Sequence, residues 1–197
     1  QMCIRDRLIG VYDTNADQAE AVAAKYGTQA LGSVEEAAAA DALSVVTPTT
    51  THHCLAKPLL EQGKHLLIEK PMTDNLDEAA ELVRLAKRHD CVLQVGHIER
   101  FNPVYNYLQK AAQSPRFIES HRLSPFPARS MDIGVVLDLM IHDLDIVLAF
   151  VDSPVAHVDA AGVRVLSKSE DIANARLRFA NGCVANLTVS RVSPEQM

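Results

Sequence analysis

Apolar and polar positions follow two different periods along this chain. Short apolar runs at 8–12, 43–47, 65–68 and 92–95 have strand length and are bounded by turn formers. Between them the apolar positions recur with helical spacing. One helix is expected at 17–26, stopped by Gly27, and a short second one behind the capping-box pair Ser33 and Glu36. A third is expected at 52–62, with Pro58 inside it as a kink and Gly63 at its end. A fourth runs over 76–89, started by Asn75 with Glu78 three residues on. Strands alternating with helices at this pitch predict a parallel sheet.

After residue 98 the pattern changes. Asn102-Pro103 opens a helix to about 113, since proline suits the first helical position. A strand is expected at 117–122, and a loop with two prolines at 124–130. A long, almost wholly apolar helix follows at 135–151, and strands at 155–166 and 171–192. In the last stretch Ala173, Ala175, Leu177 and Phe179 alternate with polar residues. Asn181-Gly182 makes a hairpin turn, and Ala185, Leu187 and Val189 resume the alternation. The expected fold is α/β: a truncated Rossmann-type parallel sheet at 8–98, then an α+β domain with a mostly antiparallel sheet at 99–197. Residues 1–7 match no element and read as a cloning or assembly scar. Residues 193–197 stop just after a strand pattern, so a fragment is expected at both ends.

Composition narrows the function classes. Hydrophobic residues make up 48% and charged residues 22% of the 197 positions, as in ordinary globular proteins. A net charge of -6 gives no reason to expect nucleic acid or an anionic membrane as partner. No apolar run is long enough to span a bilayer. Cys3, Cys54, Cys91 and Cys183 lie far apart without CxxC spacing, which points to free thiols and a cytoplasmic protein.

Three places carry candidate chemistry. Glu69 and Lys70 stand where the 65–68 strand ends, and ligands of open α/β sheets bind at the carboxyl ends of strands. Lys70 is either a ligand-facing residue or a solvated loop lysine, with Pro71 fixing the turn behind it. Asp13 ends the first strand, where dinucleotide folds place a carboxylate on the adenosine ribose; a plain turn former is the other reading. The glycine fingerprint GxGxxG, expected roughly 20 residues earlier, does not occur in this sequence. Finally, winding 135–151 at 3.6 residues per turn puts Gly134, Asp138, His142, Asp145 and Ala149 on one stripe. Buried charge is costly unless paired, so the stripe is either an internal ion-pair network or the wall of a site. Asp143 points off it, toward a basic neighbour. Asp138, His142 and Asp145 are the alternative reading as metal ligands, but HxxxH or HExxH spacing is missing and no metal is expected. Nor is there a GxSxG elbow for a serine hydrolase.

Taken in order, Glu69-Lys70-Pro71, Gly96-His97 with Arg100-Phe101-Asn102-Pro103, and Asp138 to Asp143 resemble the Gfo/Idh/MocA oxidoreductases. Thr47-Pro48 with His52 fits the same pattern. Within that family, GHIERFNP and DLMIHDLD are most similar to bacterial UDP-N-acetylglucosamine 3-dehydrogenases and related nucleotide-sugar dehydrogenases. The resemblance implies an NAD-dependent oxidation of a ring secondary alcohol of a nucleotide sugar. Inositol or free-sugar oxidation, or an inactive fragment or non-catalytic sugar-binding relative, are the alternatives. It implies Lys70, Asp138 and His142 as the catalytic set, either Lys70 or His142 being the base. Asp13, Thr47, Pro48, His52, Glu69 and Lys70 are implied around NAD, with NADP disfavoured by the Asp13 carboxylate. It also implies a dimer or tetramer formed through the C-terminal sheet. Arg122, Arg129 and Lys168 are candidates for holding substrate phosphate, or are ordinary surface charges.

Overall fold

The structure is a computed structural model that describes residues 7–126 and 133–194. Its first half holds a parallel sheet of β1 (Ala42–Val45), β2 (His65–Ile68) and β3 (Leu93–Val95), in that order. Helices α1 (Ala16–Tyr26), α2 (Val34–Ala37), α3 (Thr49–Glu61) and α4 (Leu76–Arg88) alternate with them. The ends of these helices follow from their caps. Asn15 Oδ1 accepts from Gln18 N, and Gly27 closes α1 at φ 64°, a conformation open to glycine at little cost. Asn75 accepts from the Asp77 and Glu78 amides at the start of α4. Val45, Ala56, Leu60, Leu66, Ile68 and Leu82 form the core between sheet and helices. Each of the valine, leucine and isoleucine side chains contributes about 1.5–3 kcal/mol by leaving water.

Three sequence expectations shift here. The 8–12 run is not a strand: Val11 alone bridges, parallel to Ala30, donating to Gln29 O at 2.9 Å and accepting from Leu31 N at 2.8 Å. Leu8 is 58% exposed, so the run lacks the buried face that would extend the pairing. β1 ends at Val45 rather than 47, and α3 begins at Thr49 rather than 52. Pro48 is the cap residue, and its carbonyl accepts from Thr51 N at 2.9 Å and Thr51 Oγ1 at 2.7 Å. In the capping box of α2, Ser33 Oγ accepts from Glu36 N, while the Glu36 carboxylate reaches back to Gly32 N.

The second half begins with a 3₁₀ turn (Ile98–Phe101) and α5 (Pro103–Ala111). Its sheet has the order β4-β7-β6-β5, from β4 (Phe117–Leu123), β5 (Val155–Val163), β6 (Ile172–Phe179) and β7 (Val184–Ser190). β4 runs parallel to β7 and the other two pairings are antiparallel. The alternating residues Ala173, Ala175, Leu177, Phe179, Ala185, Leu187 and Val189 are all buried, as their period predicts. β5 stops at Val163, not 166. The amides of Val165, Leu166 and Ser167 turn away from the strand onto Asp171 Oδ2, at 2.7, 2.7 and 2.9 Å.

The apolar stretch 135–151 covers the inner face of this sheet, but not as one α-helix. Val136–Met140 is a π-helical turn, and α6 (Ile141–Val151) continues from it. Its Val135, Met140, Val147 and Val151 pack on the β6 and β7 side chains. The wider π turn changes the angle between successive side chains, so the stripe drawn at 3.6 residues per turn does not describe this segment.

Candidate active site

The carboxyl ends of β1, β2 and β3 lie side by side, because the three strands are parallel and in register. Thr47 and Pro48 follow β1 and are exposed. Glu69 and Lys70 follow β2; Gly96 and His97 follow β3. Glu69 N donates to Val45 O at 3.0 Å and Gly96 N to Ile68 O at 2.8 Å, which locks these three ends together. Gly96 admits the Glu69 carboxylate against its backbone: a Cβ there would stand 2.8 Å from Glu69 Oε2.

His52 is 1% exposed and lies beneath this edge. Its Nδ1 meets Pro71 O at 2.9 Å and its Nε2 meets Thr47 O at 2.8 Å. Both ring nitrogens are therefore occupied by main-chain carbonyls. His52, expected as a cofactor-lining residue, ties the ends of β1 and β2 together from below. Asp13 sits two residues beyond the Val11 bridge, exposed, with Oδ1 accepting from Asn15 N at 2.8 Å. The turn-forming reading of Asp13 thus holds for that oxygen. Its Oδ2 has no protein partner among the described residues.

Lys70 is not a solvated loop lysine. Its Nζ donates to Asp138 O at 2.8 Å and Asp138 Oδ1 at 3.0 Å, bridging the two halves of the chain. Both side chains are largely covered, 19% and 16% exposed. The π turn supplies this double contact by presenting the carbonyl and carboxylate of one residue in the same direction. His142 lies one turn on. Burial, then the positive charges of Lys70 and Arg122, lower its pKa, against weaker opposite pulls from Glu99 and Asp143. Its Nδ1 is buried and has no hydrogen-bond partner. Asp138 and His142 share no hydrogen bond among the described residues; the carboxylate takes the charged ammonium rather than the imidazole.

The other carboxylates of the stretch are used elsewhere. Asp145 takes Arg100 bidentately, at 2.7 Å (Nε) and 2.6 Å (Nη2), which braces the 3₁₀ turn against α6. Asp143 takes Arg122, with Nε and Nη2 both at 3.0 Å, the basic neighbour expected for it. Arg122 is thereby held by a carboxylate rather than free for phosphate. Arg129 lies outside the described residues, and Lys168 is exposed in the loop after β5. Among the described residues no group of three or more acidic, His or Cys side chains gathers as a metal site.

His97 was not among the expected site residues. Its Nδ1 is also buried without a partner. It lines a cleft of about 350 Å³ with Pro71, Thr73, Leu137 and Ile141, beside the Lys70 turn. The signal was available: His97 holds the same place after β3 that Lys70 holds after β2.

Known proteins share this fold. The oxidoreductase family model with an NAD-binding Rossmann fold matches residues 2–97, and the Gfo/Idh/MocA C-terminal domain matches residues 110–197. UDP-N-acetylglucosamine 3-dehydrogenase of Acidithiobacillus ferrooxidans is 44% identical over 96% of this chain and 61% of its own length. A solved structure of that enzyme superposes with a TM-score of 0.89, covering 96% of this chain and 64% of that one. scyllo-Inositol 2-dehydrogenase (NAD(+)) of Bacillus subtilis is 27% identical over 95% of this chain and 60% of its length. The chain thus spans about three fifths of the length of these two relatives. With its first half matched by the Rossmann-fold family model and its second by the C-terminal domain model, the chain belongs to the Gfo/Idh/MocA oxidoreductase family.

Proposed function

We propose that the protein oxidises a ring secondary alcohol of UDP-N-acetylglucosamine with NAD as hydride acceptor. The observation that carries this is the joint itself: an ammonium held by Asp138, beside a half-buried His142. The finer choice of substrate rests on the 44% identity to the A. ferrooxidans enzyme.

The residues present fit a dinucleotide. Asp13 offers an unengaged carboxylate oxygen for ribose hydroxyls, and that charge disfavours a 2′-phosphate. Thr47, Pro48, Glu69 and Lys70 border the crevice at the strand ends, with His52 bracing it. NAD, when bound, takes up the hydride from the alcohol carbon.

The side chains then divide the proton work. His142 accepts the hydroxyl proton, and burial with two nearby cations keeps the ring neutral and ready to do so. Lys70 Nζ gives two of its three protons to Asp138, leaving one for the substrate oxygen as negative charge grows there. Asp138 holds Lys70 in place. In this division His142 is the base and Lys70 the polariser. Lys70→Met and His142→Ala are each expected to abolish NAD reduction with UDP-N-acetylglucosamine. Turnover at the wild-type rate in both variants contradicts the assignment.

We further propose a homo-oligomer formed through the outer face of the β4-β7-β6-β5 sheet. That face is polar, with Glu119, Asp159, Asn174, Arg176 and Thr188 around a shallow depression of about 360 Å³. A cytoplasmic site of action is supported by the free thiols Cys54, Cys91 and Cys183. No helix among the described residues is long and apolar enough to cross a membrane.

A further inference from the structure

The π turn that carries Asp138 is preceded by a glycine, Gly134, and Glu170 meets the chain there from the far end of the β5–β6 loop. Glu170 supplies two acceptors to the first turn. Its carbonyl takes Val135 N at 3.0 Å, and its Oε1 takes Val136 N at 3.2 Å. The first amides of a helix have no partner within it, and a carboxylate there also complements the helix dipole.

The fit depends on two glycines. The Glu170 carboxylate lies against Gly134, where a Cβ would overlap it. Its stem lies over Gly162 in β5, where a Cβ would stand 3.2 Å from Glu170 Cβ. The next residue, Asp171, is fully buried and anchors the loop. Its Oδ1 accepts from Arg191 Nε at 2.8 Å and from Ser167 Oγ at 2.7 Å. Arg191 Nη1 also donates to Ile133 O at 2.9 Å, just ahead of Gly134. The start of the π turn is thus fixed from both sides by one buried cluster.

We propose that Glu170 is a positioning residue for the reaction: it sets the turn from which Asp138 presents its carbonyl and carboxylate to Lys70. This rests on the functional reading above. Asp138 N donates to Gly134 O at 3.0 Å, so the segment Glu170 caps leads directly to the Lys70 contact. Without the Oε1 acceptor, Val136 N loses its partner and the turn relaxes toward ordinary α geometry. Asp138 then rotates away from Lys70. Displacements of about 1 Å at a reacting centre cost up to about 100-fold in rate.

The test is steady-state kinetics of the full chain with NAD and UDP-N-acetylglucosamine, with amide exchange at Val136. Glu170→Ala lowers kcat by about 10- to 100-fold, leaves KM for NAD unchanged and speeds exchange at Val136. Glu170→Gln, which keeps an Oε1 acceptor, retains most of kcat. Gly134→Ala pushes the carboxylate off and reproduces the Glu170→Ala loss, and the double variant is no worse than either single one. Wild-type kcat in Glu170→Ala overturns the proposal. So does Glu170→Gln as slow as Glu170→Ala, or a double loss equal to the product of the two single losses. If Glu170→Ala fails to fold, Glu170→Gln and Gly134→Ala decide the matter. Lys70→Met separates the two claims: if it abolishes turnover while Glu170→Ala does not, only the positioning role fails.

Discussion

At the scale of single residues, the proposed mechanism keeps one base neutral beside one fixed cation. A lowered His142 pKa means that the neutral imidazole persists below the usual value of about 6.5. The acid limb of the kcat/KM profile is therefore expected below that value. Arg122→Met removes a charge that opposes protonation and frees Asp143 to favour it, so both changes move the limb to higher pH. A pH profile of the variant that coincides with wild type contradicts this account of the imidazole. Part of the site was readable in the sequence. Lys70 was found because strand ends are read from a short apolar run, and Asp138 and His142 because polar residues in an apolar helix stand out. Their pairing was not, since an ion pair between residues 70 and 138 depends on how two halves of the chain meet. The bracing contacts of His52 were not legible for a related reason: its neighbours suggest a ligand, but its burial beneath two carbonyls is a tertiary fact.

At the scale of elements, caps and loops decide where each strand or helix stops. Asn75→Ala removes the acceptor for two amides of α4 and is expected to cost about 1 kcal/mol, measured by urea unfolding. Equal midpoints for variant and wild type contradict the cap. Asp171 gives a second test. Burial pushes its carboxyl up, but bonds from Ser167, Arg191 and the Val165 amide outweigh this and hold it well below the usual carboxylate range. A depressed carboxylate contributes stability that is complete above about pH 4 and is lost as pH falls through the lower folded value. Asp171→Asn is thus expected to lower Tm near neutral pH, with the gap to wild type closing in strong acid. A gap that is constant with pH contradicts the ionised state of Asp171. The strand over 155–166 was read too long because the amides that leave β5 for Asp171 sit in a sequence with no strong turn former until Ser167. The π turn was invisible for a similar reason: an apolar run has the same composition whether it winds at α or π pitch.

At the scale of the whole molecule, a parallel sheet offers strand ends, a mixed sheet offers the helix, and the proposed reaction centre is where they meet. The two sheets were legible because their apolar periods differ, near-continuous in one and strictly alternating in the other. Assembly through the outer face of the second sheet predicts a dimer or tetramer in sedimentation velocity. Thr188→Arg, in the middle of that face, is expected to shift the species toward monomer; a wild-type monomer contradicts the assembly. The most direct test of the joint as a reaction centre is NADH formation by the full chain with UDP-N-acetylglucosamine, compared with scyllo-inositol, in wild type, Lys70→Met and His142→Ala. Expected is NADH from the nucleotide sugar in wild type alone. NADH from scyllo-inositol but not the nucleotide sugar, or undiminished turnover in the two variants, contradicts the substrate in the first case and the site in the second.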